Sequence, residues 1–121
     1  MRVSSETWVR SYLRRCQAAG IPAVIARHGD DRAGAIFLKV NRLDGTVHLF
    51  GPAPAGLVAL QGERRFAACF VAGAVPEPEA DAYLSRQVEF DSDLWVIEIE
   101  DRQGRHLLEA EIMPQGRDDL R

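Results

Sequence analysis

Short strand-like runs joined by short polar connectors constrain the fold of this chain more than any other feature of its sequence. Three such runs follow one another in the first half of the chain, at 22–28, 34–40 and 46–50. The two connectors are five residues each, whereas parallel neighbours need a crossover of roughly a dozen residues or more. The three runs are therefore predicted to form an antiparallel meander, in which each strand pairs with the next one along the chain.

The second connector contains the dipeptide Asp44-Gly45, which is a strong signal for a two-residue hairpin turn. Such a turn would place Val40 opposite Leu49, so that apolar side chains meet across the two strands. We predict this register for the second and third strands.

Two other segments have the periodicity of amphipathic helices. The segment at 6–20 follows two serines and repeats apolar residues at three- and four-residue steps, which is typical of a helix with a serine cap. The segment at 75–90 begins with prolines and acids, which favour the first turn of a helix. Its predicted inner stripe consists of Ala80, Tyr83, Leu84 and Val88.

Further strands are predicted at 64–73, 94–100 and 105–112, because these runs are apolar and bounded by turn residues. The chain is therefore expected to form a single domain over 1–121, with 113–121 as a polar, frayed tail. The predicted class is α+β, with a mainly antiparallel sheet of about five to six strands and two helices packed on one face.

Composition and motifs exclude several functions. Charged residues of both signs are interspersed and give a net charge of −3, so the charge balance does not favour nucleic acid or a membrane surface. The sequence has no phosphate-binding loop, no dinucleotide fingerprint and no serine-hydrolase or zinc-protease motif. Cys16 and Cys69 lie in apolar contexts, which is typical of buried thiols in a reducing compartment. We expect a cytoplasmic protein without a cofactor or a metal.

The stretch FDSDLWVIEIEDRQGRH at 90–106 is the segment that most resembles a site. In a strand, Trp95, Ile97 and Ile99 would share one face. A type I turn at 101–103 with Gly104 in the left-handed bulge position would then lead into the strand at 105–112. That hairpin would pair Asp101 with Arg105, Glu100 with His106 and Glu98 with Leu108.

The alternative is that acidic and basic groups around this hairpin form a metal or acid/base site. Glu98 and Glu100 would lie about 6.5 Å apart along the strand, so a divalent ion would need further ligands. Asp91 and Asp93 could supply them if the chain folds back toward Glu98. We favour the structural hairpin and assign no catalytic residue. The candidate binding residues are Asp91, Asp93, Trp95, Glu98, Glu100, His106, Lys39 and His48.

The motifs AGAIFLKV, DGTVHLFGPAP and FDSDLWVIEIEDRQGRHLL, with the N-terminal WVRSYLRR helix, resemble a family of small alphaproteobacterial proteins catalogued as domain of unknown function 1491. The resemblance covers nearly the whole chain. Ser92 is a departure, because many relatives are expected to carry proline there. The resemblance implies a bacterial cytoplasmic protein of uncharacterised function, and it transfers no catalytic residues.

Three functional hypotheses follow. The leading one is a non-enzymatic binding module that pairs with itself or with a protein partner through an exposed sheet edge. The second is a small metal-dependent or acid/base enzyme with its site around the 91–106 hairpin. The third and weakest is nucleic-acid binding through the outer face of the first helix, which carries Arg10, Arg14 and Arg15.

Overall fold

The computed structural model describes residues 3–54 and 64–113. Two helices and six short strands lie in these ranges. In chain order they are α1 (Ser5–Ala18), β1 (Ala23–Arg27), β2 (Ile36–Asn41), β3 (Thr46–Pro52), β4 (Phe66–Ala68), β5 (Ala74–Pro76), α2 (Glu77–Phe90) and β6 (Trp95–Glu100).

The six strands form one sheet with the order β1-β6-β2-β3-β4, and β5 pairs with β3 beyond the end of β4. The pairing of β2 with β6 is parallel, and the other pairings are antiparallel. The predicted α+β class and the mainly antiparallel sheet are therefore confirmed.

Both helices begin at the residues that their capping signals indicate. The Ser4 hydroxyl accepts a hydrogen bond from the backbone N–H of Thr7 and so caps α1. Proline occupies the first turn of α2 together with Glu77 and Glu79, where a missing N–H costs nothing and a negative charge is stabilised by the helix dipole. Neither helix has the length and apolar composition of a membrane-spanning segment.

Strand β6 lies between β1 and β2. In the predicted meander of the first three strands, the pairing of β1 with β2 is therefore wrong. The cause is the burial of β6 on both faces, the profile of a central strand. Trp95, Val96, Ile97 and Ile99 are all buried, whereas β1 alternates between half-buried and exposed residues. In this position both edges of β6 are hydrogen-bonded to neighbouring strands, and β1 lies at the border of the sheet.

The loop between β1 and β2 passes over the start of β6. The carbonyl of Asp93 accepts a hydrogen bond of 2.8 Å from the N–H of Asp30. The indole Nε1 of Trp95 donates a hydrogen bond of 2.8 Å to the carbonyl of Asp30. Gly29 and Gly34 make this crossing possible, because a Cβ at either position would overlap the Asp93 carbonyl.

The hairpin between β2 and β3 forms, but its register differs by one residue from the prediction. Val40 pairs with His48 rather than with Leu49. The turn is longer than two residues because the Asn41 side chain accepts a hydrogen bond from the N–H of Leu43, and Leu43 adopts a left-handed backbone with φ 63°.

The helices pack on opposite faces of the sheet, so the expectation that both cover one face is wrong. Helix α1 buries Val9, Tyr12 and Cys16 on one face, the α1 face, with Trp95, Ile97 and Ile99 of β6. Helix α2 buries Ala80 and Leu84 on the other face, the α2 face, with Leu94 and Val96. The alternation of side chains along β6 therefore follows the sequence prediction, and each face of the strand contributes to a separate core.

The segment after β6 is not the strand that was predicted at 105–112. The turn itself forms, with Gly104 at φ 75° and Arg105 bonded to Asp101. Since β1 and β2 occupy both edges of β6, the following residues cross the α1 face instead. There Leu108 is fully buried, and the predicted pairings of Glu100 with His106 and of Glu98 with Leu108 do not occur.

The run at 64–73 contains only a short strand, β4, and then a turn that leads to β5. Phe66, the first residue of β4, is bonded to the segment at 111–113. Its N–H donates to the carbonyl of Glu111, and the Met113 N–H donates to its carbonyl. The segment at 111–113 therefore covers the edge of the sheet at β4. Apart from Met113, the predicted tail lies outside the described residues.

Replacement of Gly29 by alanine tests the crossing of the loop over β6. The new Cβ would lie 2.6 Å from Cδ1 of the buried Trp95 as well as against the Asp93 backbone. We expect Gly29→Ala to lower the free energy of unfolding by about 1–3 kcal/mol, in the range of overpacked sites, as measured by urea denaturation. Val71→Ala is the control, because Val71 is 69% exposed and should change stability by about 0.5 kcal/mol or less. Equal stability of the two variants would contradict the tight crossing.

Candidate interaction surface

Lys39 is the centre of a cluster of charged groups on the α2 face. Its Nζ lies 2.7 Å from Oε2 of Glu77, 2.8 Å from Oδ1 of Asp81 and 3.8 Å from Oε1 of Glu98. The lysine side chain is only 8% exposed. Asn41 donates a hydrogen bond of 3.2 Å to the other carboxylate oxygen of Glu98. The cluster ties the first turns of α2 to the centre of the sheet.

The environment of Lys39 keeps its amine protonated. Burial lowers the pKa of Lys39, but the hydrogen bonds that its ammonium donates to Asp81 and Glu77 outweigh this effect and raise the pKa above the usual lysine value. A protonated amine has no lone pair for nucleophilic attack or for proton abstraction. The arrangement is therefore suited to positioning α2 and not to covalent or general-base chemistry at Lys39.

A shallow hollow of about 280 Å³ lies beside this cluster, between α2 and the β1–β6 side of the sheet. Its lining combines apolar side chains with charged groups of both signs. The lining consists of Ala26, Arg27, Lys39, Asp81, Leu84, Ser85, Val88, Val96 and Glu98. It exists because α2 packs on β3 and β5 and leaves this part of the face uncovered.

Asp91 and Asp93 do not approach Glu98. Asp91 follows the last residue of α2, and its carboxylate accepts a hydrogen bond from the N–H of Asp93. Asp93 precedes β6, and its carbonyl is bonded to the loop after β1. Five residues of extended chain separate Asp93 from Glu98, a distance of about 16 Å. The two aspartates therefore turn the chain from α2 into β6.

Trp95, His48 and His106 lie apart from the lysine cluster. Trp95 is fully buried and cannot serve as an exposed platform. His48 and His106 lie on the α1 face, and both rings contact the Phe50 ring, at centroid distances of 4.3 Å and 5.1 Å. Burial lowers the pKa of both histidines, and the proximity of His106 lowers that of His48 further. Nδ1 of His106 accepts a hydrogen bond from the N–H of Leu108.

The candidate binding residues are thus distributed over several places. Lys39 and Glu98 come together on the α2 face, His48 and His106 lie near each other on the α1 face, and Glu100 lies exposed at the end of β6. Residues 3–54 and 64–113 contain no group of three or more histidine, cysteine or acidic side chains that could hold a metal ion. Asp81 was missed in the sequence because its role depends on where α2 packs, and no local signal records that.

The arginines of α1 are partly engaged within the protein. Arg10 forms an ion pair of 3.1 Å with Glu6, and Arg15 donates a hydrogen bond of 2.6 Å to the carbonyl of Leu107. Glu6 neutralises part of the charge that a nucleic-acid backbone would require. The geometry therefore gives little support to an interface on this helix.

The two outer edges of the sheet differ in whether other parts of the chain cover them. The β4 border is covered by 111–113, whereas within the described ranges no strand pairs with the outer edge of β1. Val24 of β1 is 59% exposed, and Ala26 is exposed as well. This outer edge adjoins the hollow on the α2 face through Ala26 and Arg27.

The backbone groups that β1 presents outward follow from its pairing with β6. The N–H of Glu100 donates to the carbonyl of Pro22, and Val24 pairs with Glu98. Because hydrogen-bonded and non-hydrogen-bonded pairs alternate in an antiparallel ladder, Val24 directs its backbone groups toward β6. Ala23 and Ile25 therefore direct their N–H and C=O groups away from the sheet. A bulge between Ile25 and Arg27 ends the regular edge.

Substitution of Lys39 by methionine tests the role of the cluster. Methionine keeps the length of the side chain but leaves the three carboxylates without their cation, so we expect a loss of about 1–3 kcal/mol in the free energy of unfolding at neutral pH. Because the pKa of Lys39 is raised in the folded state, its stabilisation is complete below the usual lysine pKa and is lost as the pH rises through the folded value. The difference from wild type should therefore shrink only in strongly alkaline solution.

The control for this substitution is Arg14→Met, since Arg14 is exposed on α1 and should change stability by about 0.5 kcal/mol or less. Chemical denaturation at pH 7 and at pH 11 provides the measurement. A Lys39→Met protein as stable as wild type at pH 7 would mean that the cluster does not hold α2 on the sheet.

Comparison with known proteins gives a consistent result. A family model described as "Protein of unknown function (DUF1491)" matches residues 3–109. A crystal structure of a DUF1491 family protein from Caulobacter crescentus is 38% identical, with a TM-score of 0.76 over 93% of this chain and 99% of the other. An NMR structure of a DUF1491 family protein from the same bacterium is 40% identical, with a TM-score of 0.74 over 93% and 98% of the two chains.

A solution structure of a protein from A. tumefaciens is 41% identical, with a TM-score of 0.70 over 83% of this chain and 86% of the other. No curated protein is significantly similar to the chain. With a family model that matches most of its length and relatives that share its fold, the chain belongs to the DUF1491 family.

Proposed function

We propose that this protein is a non-catalytic interaction module that binds an extended protein segment along the outer edge of β1. The observation that carries the proposal is the open edge itself, with the backbone groups of Ala23 and Ile25 directed outward beside the exposed Val24. An exposed edge strand is a template for the addition of another strand, and main-chain hydrogen bonds then provide much of the affinity.

The neighbouring hollow supports this proposal. Strand addition gives affinity through the backbone, while pockets beside the edge select side chains of the bound segment. The hollow adjoins β1 through Ala26 and Arg27 and has an apolar floor at Leu84, Val88 and Val96. A bound segment with an apolar side chain near Ala26 would reach this floor, and a basic side chain farther along would approach the carboxylates of Asp81 and Glu98.

The enzyme hypothesis receives less support. A catalytic site would bring several of the candidate groups into one concave pocket, whereas only Lys39 and Glu98 share the hollow. The raised pKa of Lys39 also removes its amine as a base or nucleophile at neutral pH. We therefore favour binding over catalysis. The thiols of Cys16 and Cys69, both free, are compatible with a reducing compartment, and the proposal includes a cytoplasmic location.

Selection of binding peptides from a random library of extended segments tests the proposal. Selected peptides are then measured against the Ala23→Pro protein. Proline removes the outward N–H of Ala23 and leaves the hydrogen bonds between β1 and β6 intact, as edge strands tolerate. We expect peptides that bind wild type to bind Ala23→Pro at least ~10-fold more weakly, as the loss of one hydrogen bond and a steric clash would produce.

Ala23→Ser is the matched control, because serine at the same position retains the N–H and should retain binding. Thermal unfolding of the variants verifies that each is folded. Peptides that bind Ala23→Pro as tightly as wild type would show that they bind elsewhere, and the proposed function would then be wrong.

A further inference from the structure

We infer that the segment which pairs with β1 is the β1 strand of a second copy of this chain, antiparallel to the first about a two-fold axis at Val24. This inference rests on the proposed function and names the partner. It predicts that two sheets join edge to edge and that the same surface is used by both copies.

The backbone groups of β1 select this register. Each copy directs outward one N–H and one C=O from Ala23 and the same from Ile25, as the pairing of β1 with β6 requires. Pairing of Ala23 with Ile25 of the second copy satisfies all of these groups in both chains. A shift toward the start of β1 would involve Ile21, whose N–H already donates to the carbonyl of Cys16. A shift toward the end of β1 would bring the bulge after Ile25 into the pairing, where the ladder is irregular.

The same register places an exposed apolar side chain of β1 at the axis. Val24 is 59% exposed and would lie directly opposite Val24 of the second copy. Its backbone groups point toward β6, so this is a non-hydrogen-bonded pair, in which the two side chains are closest. Two β-branched apolar side chains in contact across strands are a favourable pair.

Charge complementarity at the ends of β1 supports the same arrangement. Arg27 lines the hollow on the α2 face, where its Nη2 donates a hydrogen bond of 2.8 Å to the carbonyl of Ser92. Glu100 is exposed at the end of β6 beside Pro22. In the proposed register, Arg27 lies just past the bulge of β1 and close to Pro22 of the second copy. The Cα atoms of Arg27 and of Glu100 in the second copy would be about 10 Å apart, from the spacing of strands and residues. Two long side chains can close this distance when Arg27 exchanges its hydrogen bond to Ser92 for the carboxylate, and the axis generates the pair twice.

A five-residue strand offers a small interface, so we expect a weak dimer whose population rises with protein concentration. Cross-linking is therefore the most direct test. Val24→Cys in a Cys69→Ser background places two thiols across the axis, where Cα atoms about 4.5 Å apart lie within the range of a disulfide. Cys16 is fully buried and does not interfere. We expect mild oxidation to convert most of the Val24→Cys protein to a linked dimer.

Two controls define the register. Ala26→Cys lies on the same strand, but its two copies would be about 13 Å apart in the proposed dimer. Val71→Cys lies at a remote exposed position. Both should cross-link at least ~10-fold more slowly than Val24→Cys. Equal rates at Val24 and Ala26, or a rate at Val24 no higher than at Val71, would overturn the inference.

A charge exchange provides a second, independent measurement by light scattering. Arg27→Glu or Glu100→Arg alone replaces two attractive pairs with repulsive ones and should weaken the dimer roughly 10-fold. The double variant restores opposite charges and should recover the dimer, whereas a purely structural effect of Arg27 would not be rescued. Failure of rescue counts against the dimer. A third outcome separates this inference from the proposed function. If peptides bind wild type more tightly than Ala23→Pro while no dimer forms, the partner is a different protein, and only this inference is wrong.

Discussion

The burial of β6 on both of its faces is the constraint on which the rest of this structure depends. Trp95, Ile97 and Ile99 enter the core beneath α1, while Leu94 and Val96 enter the core beneath α2. A strand with this profile is stable only where both faces are covered and both edges are paired. Its position between β1 and β2 determines the parallel pairing with β2 and the loop that crosses at Asp93. It also excludes the segment at 105–112 from the sheet.

Local features of the fold could be predicted from the sequence because local interactions determine them. Ser4 caps α1 through a hydrogen bond to a residue three positions along, and Gly104 adopts the left-handed backbone that the turn after β6 needs. The position of β6 could not be predicted in this way. Its partner on one side lies some seventy residues earlier, as the pairing of Val24 with Glu98 illustrates, and the short connectors at 29–33 and 101–104 gave equally good local hairpins.

The candidate site shows the same division between local and non-local information. Lys39 and Glu98 were both among the candidate binding residues. That they meet follows from the parallel pairing of β2 with β6, in which they are direct partners. Asp81 joins them only because α2 packs on that face, and the apparent acidic cluster around 91–101 is divided between the two ends of β6. The outer edge of β1 could be recognised only once the strand order was established.

The central claim is that the edge of β1 is open in the isolated chain and becomes paired when the protein binds. Amide hydrogen exchange at single residues, measured by NMR at low and at high protein concentration, tests it most directly. In dilute solution the N–H of Val24 should exchange slowly, because it donates to β6, while those of Ala23 and Ile25 exchange quickly. At high concentration the amides of Ala23 and Ile25 should become protected. If these two amides exchange as slowly as that of Val24 in dilute solution, the edge is already covered and the account is wrong.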